Sequence, residues 1–202
     1  MVASDTPQTG SAQTAVTPLG LGSRPIGIAI DAAGGRIYVT NSGQDTLAVL
    51  DLSSGSLVGK IPTGAEPGLV LFDPASRRVY VSNFRSGNIT VVDAGASGAT
   101  NPTSDPMDPT SPSAVVSTLP VGGLGLALDP VAKRIYAASG TSLAVIDATT
   151  SRVIARVQAP AGANLWGAAV DRTSNRVYLT DLFTARVLVF DGATDRWPTP
   201  VS

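Results

Sequence analysis

The chain has 202 residues, 43% of them hydrophobic and 14% charged, with a formal net charge of -1. That length and apolar share support a packed core, and the near-zero charge offers no field for nucleic acid or an anionic membrane. Cysteine and histidine are both absent, which excludes disulfides, thiolate and imidazole metal ligands, cysteine nucleophiles and histidine acid–base chemistry.

Residues 1–14 are small and polar, contain no apolar signal-peptide core, and are expected to be a disordered tail. The segment Ala15 to Pro25 anticipates Leu57 to Pro67 one period later, pairing Val16 with Val58, Leu19 with Ile61, Gly22 with Gly64 and Pro25 with Pro67. Residues 15–22 therefore predict an outermost strand, D, without the three strands that should precede it.

Next comes the unit that recurs. Arg36 to Asp51, RIYVTNSGQDTLAVLD, reads as two strands of β-branched and aromatic residues around a Ser-Gly turn. Related hairpins start at Arg78, Arg134 and Arg176, and their tyrosines, Tyr38, Tyr80, Tyr136 and Tyr178, are spaced 42, 56 and 42 residues apart. The long interval is one period plus 14 residues, inside a Pro-, Ser- and Gly-rich stretch at 95–114 expected to be a mobile loop. Each hairpin supplies strands B and C. A short strand A precedes it, rich in small residues such as Gly27, Ala29, Gly125 and Ala127, as crowding at an inner position would favour. A strand D follows it.

Four antiparallel strands in about 42 residues make one blade of a β-propeller. The fold class is all-β, with four four-stranded blades at 25–63, 67–121, 123–160 and 165–197, and a tail at 198–202. The four blades either close as a ring, with residues 15–22 completing the last blade, or form a partial arc of a larger propeller. An aspartate before each A–B turn and an arginine five positions on (Asp31/Arg36, Asp73/Arg78, Asp129/Arg134, Asp171/Arg176) suggest a turn-closing pair.

Tyr38-Val39-Thr40-Asn41 and Tyr80-Val81-Ser82-Asn83 carry the YVTN signature, so the chain resembles the YVTN β-propeller repeat family, related in architecture to lactonase-type and NHL propellers. The resemblance covers residues 15–197. Repeat three departs from it, with Ala138-Ser139 and a hairpin two residues shorter, and repeat four has Asp181 in place of the asparagine. By analogy with propellers, the D–A and B–C loops share the face around the channel mouth. The insertion at 95–114 then falls in a C–D loop on the opposite face. The resemblance also leans toward a location outside the cytoplasm.

Eight of the fifteen acidic residues sit at repeated turn positions and read as framework. Asp45, Glu66 and Asp181 remain as site candidates. Framework positions repeat while the loop positions Arg24, Glu66 and Asn164 vary, as expected of loops that carry specificity. With Trp166, Asn41, Asn83, Phe84, Arg85 and Asp181 they form the expected ligand-binding set; Asn41 and Asn83 also suit turn capping. The favoured function is a non-catalytic binding or scaffolding module for a protein or small ligand, without cofactor, nucleic acid or membrane insertion. Open blade edges leave room for a homodimer. The alternative implied by the resemblance is a lactonase-like hydrolase, with Glu66, Asn164 and Asp181 offering oxygen ligands to calcium.

Overall fold

The computed structural model describes residues 23–95 and 115–198. The outermost strand expected at 15–22, the tail at 1–14, nearly all of the 95–114 insertion and the last four residues lie outside the described residues. Fifteen strands and no helix occur among the described residues. They form four antiparallel sheets. The first holds β1 (Pro25–Asp31), β2 (Arg36–Asn41), β3 (Thr46–Asp51) and β4 (Leu57–Pro62); the second holds β5 (Pro67–Asp73), β6 (Arg78–Asn83), β7 (Asn88–Asp93) and β8 (Val115–Leu119). The third holds β9 (Gly125–Asp129), β10 (Arg134–Ser139), β11 (Ser142–Asp147) and β12 (Arg152–Gln158), and the fourth holds β13 (Leu165–Asp171), β14 (Arg176–Asp181) and β15 (Arg186–Asp191).

The central strands of each sheet are apolar on both faces because each inner blade is packed on both sides. β6 and β10 are buried almost throughout, whereas the outermost β12 alternates exposed and half-buried positions. Three apolar clusters fill the junctions between successive blades. Each uses the same positions. The tyrosine and first core residue of one hairpin (Tyr38 and Leu47, Tyr80 and Ile89, Tyr136 and Leu143) meet the apolar residues flanking the tyrosine position of the next. Leu47, Ile89 and Leu143 are fully buried, each contributing roughly 1.5–3 kcal/mol of transfer free energy.

All eight framework aspartates cap turns. Asp31, Asp73, Asp129 and Asp171 accept backbone N–H groups two or three residues on, as in Gly34 N–H to Asp31 at 2.7 Å. Asp51, Asp93, Asp147 and Asp191 do the same after strand C. The expected pairing of each turn aspartate with its own arginine is corrected. Arg36 reaches across the hairpin to Asp51 at 3.2 Å, and Arg78 lies 3.9 Å from Asp93. Their backbones are paired in register there, Arg36 with Asp51 and Arg78 with Asp93. Asp31 is buried and takes Arg77 of the second blade, at 3.2 Å.

The crowding expected on the inner strands is real. A Cβ on Gly27 would stand 2.5 Å from the Gly68 carbonyl of the next blade, and one on Gly125 would stand 2.4 Å from that of Trp166. The inner strands pack in the order β1, β5, β9, β13. There the succession ends. The outer faces of blades one and four leave Ile28 66% and Val187 61% exposed. Of the two arrangements expected, the described residues form the arc and not a closed four-bladed ring.

Candidate functional site

The loops expected to share a face are stitched together by backbone hydrogen bonds. Ser42 N–H donates to the Arg24 carbonyl at 3.0 Å, Phe84 N–H to Glu66 at 2.9 Å and Leu182 N–H to Asn164 at 2.9 Å. In each case a D–A loop residue accepts from the residue just after strand B. Arg24 and Glu66 hold left-handed backbone, at φ 62° and 52°. The positions that vary most along the sequence thus do the same backbone work in three of the four blades.

The hydroxyl of the signature has a definite task. Strand A carries a bulge in blades one, two and four, and the Thr or Ser of strand B receives the backbone N–H that the bulge frees. Gly27 N–H donates to Thr40 at 2.7 Å, Leu69 N–H to Ser82 at 3.0 Å and Gly167 N–H to Thr180 at 2.7 Å. Thr40 also donates to the Gly68 carbonyl of blade two at 2.6 Å. In blade three the position is Ala138, and strand A pairs there without a bulge.

The candidate carboxylates are engaged locally. Asp181 is buried. Its Oδ1 accepts from Asn164 N–H at 2.9 Å and Phe183 N–H at 3.2 Å, and its Oδ2 accepts from the Thr184 hydroxyl and lies 3.5 Å from Arg186. These bonds, the Asn164 N–H first, hold its carboxyl down to about 2. Asp45 accepts from Glu66 N–H at 2.8 Å, and Glu66 stands 4.0 Å from the exposed Arg85. Asn164 and Asp181 meet, but Glu66 is tied to blades one and two. The trio does not fit a divalent cation, because both Asp181 oxygens are already taken and Glu66 faces a guanidinium. Among the described residues no three acidic side chains gather as metal ligands would.

Of the remaining expected residues, Arg24 and Trp166 are exposed. Asn41 is buried, and its side-chain amide donates to the Gln44 side chain at 2.9 Å. Asn83 is buried, and its amide donates to Asn88 at 2.7 Å and Thr90 at 2.9 Å. Its Oδ1 is buried without a hydrogen-bond partner. Phe84 folds inward over Gly68, where an added Cβ would strike its ring.

Asn83 and Phe84 border a groove of about 390 Å³ between blades two and three. Gly87 of blade two, the segment Gly122 to Leu124 and the turn Ser139 to Thr141 complete its lining. Every lining side chain is neutral. Sequence reasoning singled out Asn83 and Phe84 but missed the blade-three residues. The signal was present: repeat three has a hairpin two residues short, and a Gly-Gly pair, Gly122-Gly123, precedes its strand A.

Residues 6–117 match the family model described as lactonase, 7-bladed beta-propeller. No curated protein matches the chain. Among solved structures, a chain of Kuenenia stuttgartiensis hydrazine synthase superposes with a TM-score of 0.70 at 15% identity. The superposition covers 94% of this chain and 52% of that one, so the chain spans about half the length of the protein it matches. A likeness at that identity speaks to the fold alone.

Proposed function

Because this chain belongs to the seven-bladed β-propeller lactonase family, we propose that its function is exercised at the loop face, as a binding module for a small neutral ligand. The observation that carries this is the groove between blades two and three. Its volume of about 390 Å³ falls in the range of small-molecule sites, about 300–1,000 Å³. Ser139 and Thr141 offer hydroxyls, and Phe84 offers an apolar surface. A polyol, an amide or a cyclic ester has this mixture of groups.

The family's name favours a second reading, a lactone hydrolase. It needs an activated water and a group to generate it. The loop-face carboxylates, Asp181, Asp45 and Glu66, are each engaged in hydrogen bonds or an ion pair, which supports the binding reading over this one.

The discriminating experiment presents γ- and δ-lactones to the purified chain, with and without calcium, and follows binding by ligand-observed NMR and hydrolysis by acid release. Binding that Phe84→Ala weakens at least tenfold, with no acid released, is the expected result. Acid release abolished by Glu66→Ala would replace the binding reading with the hydrolase.

A further inference from the structure

Opposite the loop face lie the A–B and C–D turns, and there the blades differ in how they are clasped. The residue before the first arginine of strand B is left-handed in every blade: Gly35, Arg77, Lys133 and Asn175, at φ 65°, 53°, 55° and 54°. At the first junction Arg77 crosses to the buried Asp31 of blade one at 3.2 Å. At the second junction the matching residues are Lys133 of blade three and the buried Asp73 of blade two. These two form no ion pair among the described residues. Instead both line a cavity of about 120 Å³, together with Ser76, Leu128, Pro130 and Thr149. Tyr80 pins the blade-three turn that walls it, its hydroxyl bonded to Ser151 at 2.8 Å and donating to the Ala148 carbonyl at 3.3 Å. The Oδ2 of Asp73 accepts from the Ser76 hydroxyl and N–H, at 2.5 and 3.4 Å, but its Oδ1 accepts only from Ala75 N–H, at 3.0 Å. A carboxylate oxygen has room for two donors. Asp147, held down first by the Thr150 N–H, feels the charge of Lys133 but makes no ion pair with it.

We propose that this cavity is a second binding site, for a small zwitterion such as a short amino acid, seated between Asp73 and Lys133. Its cationic nitrogen donates to Asp73 Oδ1, as the Arg77 guanidinium donates to Asp31 at the first junction. Its carboxylate meets the exposed Lys133 at the rim. A single-charge ion suits the site poorly. A lone cation meets the Lys133 ammonium, and a lone anion meets the buried Asp73 carboxylate, where like charges in a poorly solvated place are costly. Leu128 and Pro130 receive the methylene groups between the two charges. The size agrees: about 120 Å³ is roughly ten times the space one water needs and well under the ~300 Å³ of sites for drug-sized ligands. A ligand of a few heavy atoms fits. The proposal does not rest on the loop-face reading.

The test is saturation-transfer NMR on the full chain with β-alanine, beside acetate and methylammonium, which carry one each of its two charges. Saturation of β-alanine at least fivefold above either single-charge ion is expected. Lys133→Gln removes the rim charge and should cut the β-alanine signal at least fivefold. Lys133→Arg rebuilds at the second junction the clasp that Arg77 makes at the first, and should abolish the signal by filling the cavity. Both variants alter an exposed side chain and should keep the wild-type circular dichroism spectrum. Phe84→Ala, at the loop-face groove, should leave the β-alanine signal unchanged. No saturation of β-alanine, equal saturation of acetate or methylammonium, a signal that survives in Lys133→Arg, or a signal lost in Phe84→Ala would each overturn the proposal.

Discussion

Thr40→Val is the sharpest probe of how the blades are joined. The substitution keeps the side-chain volume and removes one hydroxyl that is fully buried. That hydroxyl accepts from Gly27 N–H at 2.7 Å and donates to the Gly68 carbonyl of the next blade at 2.6 Å. Each partner left unsatisfied costs roughly 1–3 kcal/mol. Gly27 is half-exposed and recovers part of its bond from water, whereas the Gly68 carbonyl is held beneath the hydroxyl in a buried contact. The sum is a loss of about 2–3 kcal/mol, or roughly 4–12 °C in melting temperature for a chain of this size. Urea unfolding followed by circular dichroism measures it. Thr40→Ser keeps the hydroxyl and should lose less than about 1 kcal/mol, since only a methyl is removed. Thr180→Val breaks a single exposed bond, to Gly167, and should also lose about 1 kcal/mol or less. A Thr40→Val midpoint equal to wild type would refute the role assigned to the signature hydroxyl.

Acid should destabilise the fold over a definite window. Asp51 is held down to about 2 by the Ser53 and Ser54 hydroxyls and the Ser54 N–H, and Asp181 likewise by its loop donors. Asp147, Asp171 and Asp191 are lowered by similar bonds. Folded-state values below an unfolded value of about 3.9 give stability that is complete above that value and is lost as pH falls toward 2. Urea midpoints should therefore be flat from pH 7 to 5 and fall between about 4 and 2, with a shallower fall in Asp181→Asn. At the alkaline end, burial raises Tyr38, Tyr80 and Tyr136 above their ordinary value of 10.0. Stability is retained below about pH 10 and declines above it, measurable by tyrosinate absorbance recorded alongside circular dichroism. Arg77→Ala strips the buried Asp31 of its cross-blade partner; because Arg77 is partly exposed, the expected loss is only about 1 kcal/mol, smaller in high salt. Gly68→Ala would drive a Cβ into the Phe84 ring and should weaken lactone binding at the groove more than it lowers the melting temperature.

The blade architecture was legible because it repeats. Four copies of one pattern average out local ambiguity, and a period of about 42 residues fixes the strand count before any single strand is judged. The turn aspartates were legible for the same reason. Their partners were not: Arg36 and Asp31 are five residues apart in sequence, but strand pairing sets Arg36 beside Asp51 instead. The hydroxyl's task at Thr40 was also hidden, since a bulge in strand A leaves no mark in composition. At the loop face, variation at Arg24, Glu66 and Asn164 suggested specificity, yet all three backbones make the same carbonyl contact. The groove was half visible. Asn83 and Phe84 stood out as loop residues, while Ser139 and Thr141 registered only as a departure from the repeat.

The central claim is that the loop-face groove binds a neutral ligand without turning it over. The most direct measurement is a single sample of the full chain with a δ-lactone and calcium, in which saturation transfer to the ligand and acid release are recorded together, beside Phe84→Ala. Saturation transfer that disappears in Phe84→Ala, with acid release at the uncatalysed rate, is the predicted result. Acid release above that rate that persists in Phe84→Ala and vanishes in Glu66→Ala would contradict the claim and relocate the function to the carboxylates.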